Sequence, residues 1–258
     1  MLDIIEVENQ YYVRAQSSFA DNQTKALMSG DIFAVFDRRG DFRTMVSTEQ
    51  GLFYKEMRHL SRLVLGLEEG ALLLLSSSVR LDNAILAVDL TNAELRLSDQ
   101  KDPHAGTLHF YRLNFLWENS CHQRIEVRNY AVEAISFELI LEFEADFADI
   151  FEVRGHRREK RGQILEPRLG ESAVTLGYLG LDGLVRETKV EVRPTPAAIT
   201  FNQMRVPILL GPGEQSLITI RVQCVGSALV DLELTRHHDT VSVVIPRRSD
   251  DVQIVSIK

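Results

Sequence analysis

The chain has 258 residues, a formal net charge of -8, 45% hydrophobic residues and 26% charged residues. That length suits one large globular domain or two small ones, and the acidic balance disfavours nucleic acid as the main partner, because a phosphate backbone would be repelled. Two cysteines, Cys121 and Cys224, make no disulfide framework; they suit a reducing compartment, each as a small core hydrophobe.

The N-terminal MLDIIEVENQ lacks the cationic segment and apolar core of a signal peptide. The most apolar run, ALLLLSSSV at 71–79, is far shorter than the roughly 18–20 residues of a membrane span. A cytoplasmic protein is therefore expected. In chain order, YYVRAQ (11–16) and DIFAVFD (31–37) predict strands, the second closed by a turn at Asp37–Gly40. TEQGLFYKEMRHLSRL (48–63) fits helix or strand. RLVLGLEE (62–69), NAILAVDL (83–90) and TLHFYRLNFLWE (107–118) predict further strands. The last carries the single tryptophan, Trp117, read as a core residue of a long strand, with stacking on a pyranose ring as the alternative.

From Ile135 the alternation is clearest. Ile135, Phe137, Leu139, Leu141 and Phe143 share one face, and Ser136, Glu138, Ile140, Glu142 and Glu144 the other. ADFADIF (145–151) predicts a short helical turn. LVRETKVEV (184–192) and LITIRVQC (217–224) return to period two, with turns at Glu68–Gly70, Asp182–Gly183 and Gly211–Gly213. RPTPAAIT (193–200) reads as a loop, not a domain boundary, and VSVVIP and VQIVSIK near the C-terminus read as short strands. So few helices leave no room for many βαβ crossovers. The chain is expected to be all-β: one large antiparallel two-sheet β-sandwich over residues 1–258, with few short helical turns.

Simple catalytic devices are missing from the sequence. There is no CxxC, HxH or HExxH, and the adjacent His237 and His238 would point to opposite faces of a strand. No metal and no cofactor is expected. The serines at 76–78 have no GxSxG elbow around them. The chemically richest stretch is FEADFADIFEVRGHRREKRG (143–162), where Asp146, Asp149 and Glu152 precede Arg154, His156, Arg157, Arg158, Lys160 and Arg161. A glycosidase needs carboxyls flanking its bond, about 5–5.5 Å or about 6.5–9.5 Å apart. Carboxylates spaced three apart on a helical turn project from one edge instead, so no acid/base pair is expected here. They are favourable near the turn's N-terminus, and the arginines can pair with them or bidentately with another surface. Three readings stand: a salt-linked solvated loop, an interdomain interface, and direct ligand contact through Asp146, Asp149, Glu152, Arg154, Arg157 and Arg158.

Five segments together resemble one family: DIFAVFDRRGDF (31–42), GLFYKEMRHLSRL (51–63), LLSSSVRLDNAILAVDLTN (74–92), RIEVRNYAVEAISFELILEFEADFADIFEVRG (124–155) and YLGLDGLVRETKV (178–190). In this order they are similar to the N-terminal domain of bacterial and archaeal-type glycogen debranching enzymes, the amylo-α-1,6-glucosidase group. The resemblance implies a β-sandwich of the supersandwich type, followed in the family by an (α/α)6 barrel that carries the catalytic carboxylates. This chain ends at Lys258, where the family continues into linker helices and the barrel. The resemblance thus implies a non-catalytic module that supports that barrel, in cis or in trans, or binds α-glucan; the charge and the short apolar runs lead to the expectation of no nucleic acid and no membrane. Two alternatives remain open. One is a sugar epimerase of the mutarotase type, a similar sandwich with a His acid and a Glu base, for which His109, His122 and His156 are the candidate acids. The other is an assembly module forming a homodimer through its exposed interdomain face.

Overall fold

The computed structural model describes residues 24–44, 49–68, 70–80, 83–95 and 104–226, and the backbone of five short strands nearer the two ends. Strands β1 (Ile4–Val7) and β2 (Gln10–Val13) pair with each other, so part of the predicted strand 11–16 falls outside the described residues. There follow β3 (Lys25–Ser29), β4 (Ile32–Phe36), β5 (Phe42–Arg43), β6 (Gly51–Tyr54), β7 (Met57–Leu60), β8 (Arg62–Leu67), β9 (Leu72–Val79) and β10 (Ile85–Asn92). The long strands β11 (Leu108–Trp117), β12 (Ser120–Asn129) and β13 (Ile135–Glu144) come next, then a short helix, α1 (Ile150–Val153). The chain continues through β14 (Gln163–Leu169), β15 (Ala173–Leu179), β16 (Val185–Arg193), β17 (Ala198–Ile199), β18 (Gln203–Leu210) and β19 (Gln215–Gly226). Three short strands, β20 (Thr235–His237), β21 (Thr240–Ile245) and β22 (Gln253–Ile257), pair among themselves, and the last two coincide with the predicted C-terminal strands.

The architecture is the all-β antiparallel sandwich that the alternation predicts. One layer is an eight-stranded sheet in the order β14-β15-β16-β19-β12-β11-β10-β9. Against it pack a five-stranded sheet, β17-β18-β13-β8-β5, and a four-stranded sheet, β3-β4-β6-β7. The expected second sheet is thus two sheets, because the ambiguous stretch 48–63 resolves into the β6–β7 hairpin and the start of β8. Lys55 and Glu56 both adopt left-handed backbone, with φ of 47° and 65°, as a two-residue hairpin turn requires. The 193–200 stretch is a loop ending in β17, tied to β18 by Ala197 N–H donating to Arg205 O.

Alternation explains the core. The inward residues of β13 (Ile135, Phe137, Leu139, Leu141, Phe143) and of β19 (Ile218, Ile220, Val222, Cys224) are buried in one continuous cluster. Phe110 of β11 and Phe137 of β13 meet edge to face across the layers, centroids 6.1 Å apart. Cys121 and Cys224 are free and buried among these side chains, as expected, and burial pushes the Cys121 thiol up to about 12. One charge is sealed between the layers. Arg112 of β11, 0% exposed, donates to Asp41 Oδ1 at 2.6 Å and to Gln123 Oε1 at 2.8 Å. Asp41 also accepts from Leu65 N–H of β8 at 3.2 Å, so one carboxylate joins the eight- and five-stranded sheets.

Candidate functional site

The three large sheets converge at a corner built on residues 143–162. After β13 the backbone turns left-handed at Phe147 (φ 48°), whose ring stacks on Tyr178 of β15 at 5.4 Å and meets His59 of β7 edge-on at 5.6 Å. Asp149 then pairs with Met57 as an isolated antiparallel bridge, and Ile150 N–H donates to Glu56 O at 3.0 Å. Asp149 is the N-cap of α1: its Oδ1 accepts from the amides of Phe151 (2.8 Å) and Glu152 (2.9 Å). Glu152 Oε2 accepts the Asp149 amide in return at 3.2 Å, which completes a capping box. The β6–β7 hairpin, α1, the basic run and the β15–β16 turn enclose a depression of 320 Å3.

Each of the three predicted carboxylates is held by an arginine. Asp146 takes a bidentate pair from Arg58, Nε to Oδ1 at 3.1 Å and Nη2 to Oδ2 at 2.5 Å. Arg158 pairs with Asp149, and Arg161 Nε with Glu152 Oε1 at 3.1 Å. Arg161 also donates to Asp146 O at 2.7 Å, so the basic run folds back over the acidic one. Its far end is anchored by Gly162, whose N–H donates to the Tyr178 hydroxyl at 2.8 Å. A Cβ at Gly162 would lie 2.0 Å from Leu179 O, so the close approach of the two strands requires glycine there. Arg154, Arg157 and Lys160 are exposed and form no ion pair among the described residues. His156 is also exposed, its ring edge-on to Phe151.

The structure moves two predicted features. The helical turn expected over 145–151 spans 150–153, because left-handed Phe147 and extended Asp149 (φ -75°, ψ 167°) precede it. Asp146 and Asp149 therefore do not share a helical edge: one faces Arg58, the other caps α1. Trp117, expected in the core, is 64% exposed on the outer face of β11. The opposite face of that strand, the one carrying Arg112 and Asn114, is the buried one.

Several corner residues escaped sequence reasoning. Arg58 reads as one cation in an ambiguous stretch, although its bidentate partner lies 88 residues away. Asp182 and Arg186 read only as turn and strand residues. Two hydrogen bonds from Arg186 hold the Asp182 carboxyl down at about 2, which fixes the β15–β16 turn beside the depression. His59 offers no local signal at all. It is 2% exposed, its Nδ1 lies 3.2 Å from Thr188 Oγ1 of β16, and burial lowers its pKa to about 4.

The remaining sequence candidates lie elsewhere. His109 pairs with Asp89 at 3.0 Å, and Asp89 accepts from Ser76 at 2.7 Å, so the carboxylate stands between hydroxyl and imidazole. His122 lines a second depression with Glu191 on the outer face of the eight-stranded sheet. The His237–His238 pair lies outside the residues whose side chains are described. Among the described residues, no group of three or more His, Cys, Asp or Glu could hold a metal, and no helix is long and apolar enough to cross a membrane.

Residues 27–221 match the family model of the N-terminal domain of (some) glycogen debranching enzymes. No curated protein matches the chain. Among solved structures, a protein assigned as a kojibiose phosphorylase from the human microbiome aligns at 9% identity and a TM-score of 0.45. That alignment covers 69% of this chain and 24% of the other, so the chain spans about a quarter of its length. A protein assigned as an aldose 1-epimerase from Escherichia coli K12 aligns at 10% identity and a TM-score of 0.42, over 79% of this chain and 99% of that one. Heparan sulfate lyase HepC from Pedobacter heparinus aligns at 9% identity and a TM-score of 0.35, over 87% and 36%.

Proposed function

The chain belongs to the family of N-terminal domains of (some) glycogen debranching enzymes, and from that premise we propose that it is a non-catalytic β-sandwich module supporting an (α/α)6 catalytic barrel, in cis or in trans. The corner around α1 is the surface it offers to that barrel and to α-glucan. One observation carries this reading: the corner engages its carboxylates internally and leaves Arg154 and Arg157 exposed without an ion pair among the described residues. Asp146, Asp149 and Glu152 are each paired with an arginine. Arg154 and Arg157 suit carboxylates on a docking surface or vicinal hydroxyls of a glucan chain.

Calorimetric titration with a long linear malto-oligosaccharide tests the reading, with Arg157→Ala as control. Saturable heat that the substitution abolishes supports glucan contact at the corner. No heat at millimolar sugar narrows the reading to docking alone, for which a separately expressed family barrel is the next titrant. Binding to neither discards it.

A second reading, a sugar epimerase of the mutarotase type, is favoured by the shared depression that His122 and Glu191 line. Magnetisation transfer between glucose anomers tests it. Exchange no faster than in buffer discards it.

A further inference from the structure

The depression on the outer face of the eight-stranded sheet has a volume of 550 Å3 and lies over β11, β12, β19 and β16. Antiparallel register sets its lining in cross-strand rows. Phe115, His122, Arg221 and Glu191 form one row, and Arg124, Thr219 and Arg193 the next. Residues two apart on a strand share a face, so both rows point away from the core. Thr219 is short, and its neighbours on both sides are arginines, whose Cα atoms a strand spacing of ~4.8 Å puts about 10 Å apart. Arg221 stands two residues further along the same strand as Thr219. By register, three arginine positions thus flank one small side chain, with a single carboxylate, Glu191, in the same lining.

The three arginines differ in their partners. Arg124 pairs with Glu126 at 2.5 Å and Arg193 with Glu191 at 3.1 Å. Arg221 forms no ion pair among the described residues; its guanidinium reaches the Ser120 hydroxyl at a long 3.4 Å. In a chain of net charge -8 this cluster opposes the overall field, and a bound anion would relieve it. Beside the cations lie two rings stacked on each other. The Phe115 ring and the His122 imidazole stack with centroids 5.0 Å and planes 8° apart. Desolvation and the Arg221 charge both lower the His122 pKa, which favours the neutral ring.

We propose that this depression binds a phosphorylated sugar, with the phosphate over Thr219 among Arg124, Arg193 and Arg221 and the sugar ring against the Phe115–His122 stack. Forks from three neighbouring strands match the three terminal oxygens of a phosphate monoester better than the two of a carboxylate. A ring of mixed apolar and hydroxyl character needs the stacked surface beside them. The inference concerns binding; it rests neither on the docking corner nor on turnover at this face.

Titration of the 258-residue chain with glucose 6-phosphate, glucose and inorganic phosphate tests it. Glucose 6-phosphate is expected to bind saturably, with glucose and phosphate each at least tenfold weaker. Arg221→Gln, an exposed change, is expected to weaken glucose 6-phosphate at least tenfold with an unchanged circular dichroism spectrum. Phe115→Ala is expected to weaken glucose 6-phosphate while leaving the affinity for phosphate alone unaltered. Absence of saturable binding would overturn the proposal, as would equal affinity for inorganic phosphate or wild-type affinity in a folded Arg221→Gln. Arg193→Gln provides the same reading should Arg221→Gln fail to fold.

Discussion

Buried between the rings of Tyr54 and Phe147, His59 joins β7 of the four-stranded sheet to β16 of the eight-stranded one: its Nδ1 meets Thr188 Oγ1, and the Thr188 hydroxyl donates to His59 O at 2.8 Å. Burial lowers its pKa from 6.5 to about 4. Below pH 6.5 the unfolded chain takes up a proton that the folded chain refuses until about pH 4. Stability is therefore complete above 6.5 and falls as pH drops from 6.5 to 4, by on the order of 3 kcal/mol. Urea unfolding at pH 7 and pH 4.5 measures this. His59→Gln is expected to lose stability at pH 7 but to show a shallower decline between the two, since only the imidazole component is removed. An equal decline in both proteins would show that other groups carry it. None of this was legible in the sequence, where MRHL is one histidine in an ambiguous run. Its burial depends on a ring 88 residues later, Phe147, and a hydroxyl 129 residues later.

Among the elements, strands of strict alternation were readable and those with mixed faces were not. β13 has one apolar and one largely charged face, so its buried side follows from the pattern. β11 is different: Leu113, Phe115 and Trp117 lie on its outer face, while Arg112 and Asn114 interrupt the inner one. Period two divides such a strand correctly but does not say which side faces the core, and the misplacement of Trp117 follows. The β6–β7 hairpin was hidden for another reason. Its turn residues are Lys55 and Glu56, not the glycine or asparagine that usually signals left-handed backbone. The acidic and basic halves of 143–162 were legible as charges, but not their pairing, since Arg58 comes from that hairpin. At α1 the cap decides stability, because four residues cannot sustain a helix alone. Asp149→Ala removes the capping acceptor and the Arg158 partner and is expected to cost about 1 kcal/mol. Hydrogen exchange should show faster amides at Phe151 and Glu152 with β13 unchanged. Retained protection at both amides would mean that packing against Glu56 and Met57, not the cap, holds the helix.

Across the whole molecule, the two outer faces carry different electrostatics. The outer face of the five-stranded sheet presents Glu138, Glu142 and Glu144, with Arg205 bridging Glu68 and Glu138. The eight-stranded sheet gathers Arg124, Arg193 and Arg221 on its side, and the corner adds Arg154 and Arg157. Docking through exposed charges should weaken as salt rises, because screening at 0.15 M acts beyond about 8 Å. Contact with a neutral glucan depends far less on salt, which separates the two halves of the proposed function within one series of titrations.

The Asp41–Arg112 pair has a consequence for how the layers come together. A guanidinium fixed on the inner face of β11 tolerates burial only where a carboxylate meets it, since breaking such a pair costs about 3–5 kcal/mol. Asp41 sits at the start of β5 and is itself held by the Leu65 amide, so it supplies that charge at one lateral position. Were the second layer to slide by a residue or a strand, it would strand an arginine in hydrocarbon. The pair thus acts as a key in a lock: a misaligned stacking of the sandwich carries that cost, and the native one does not.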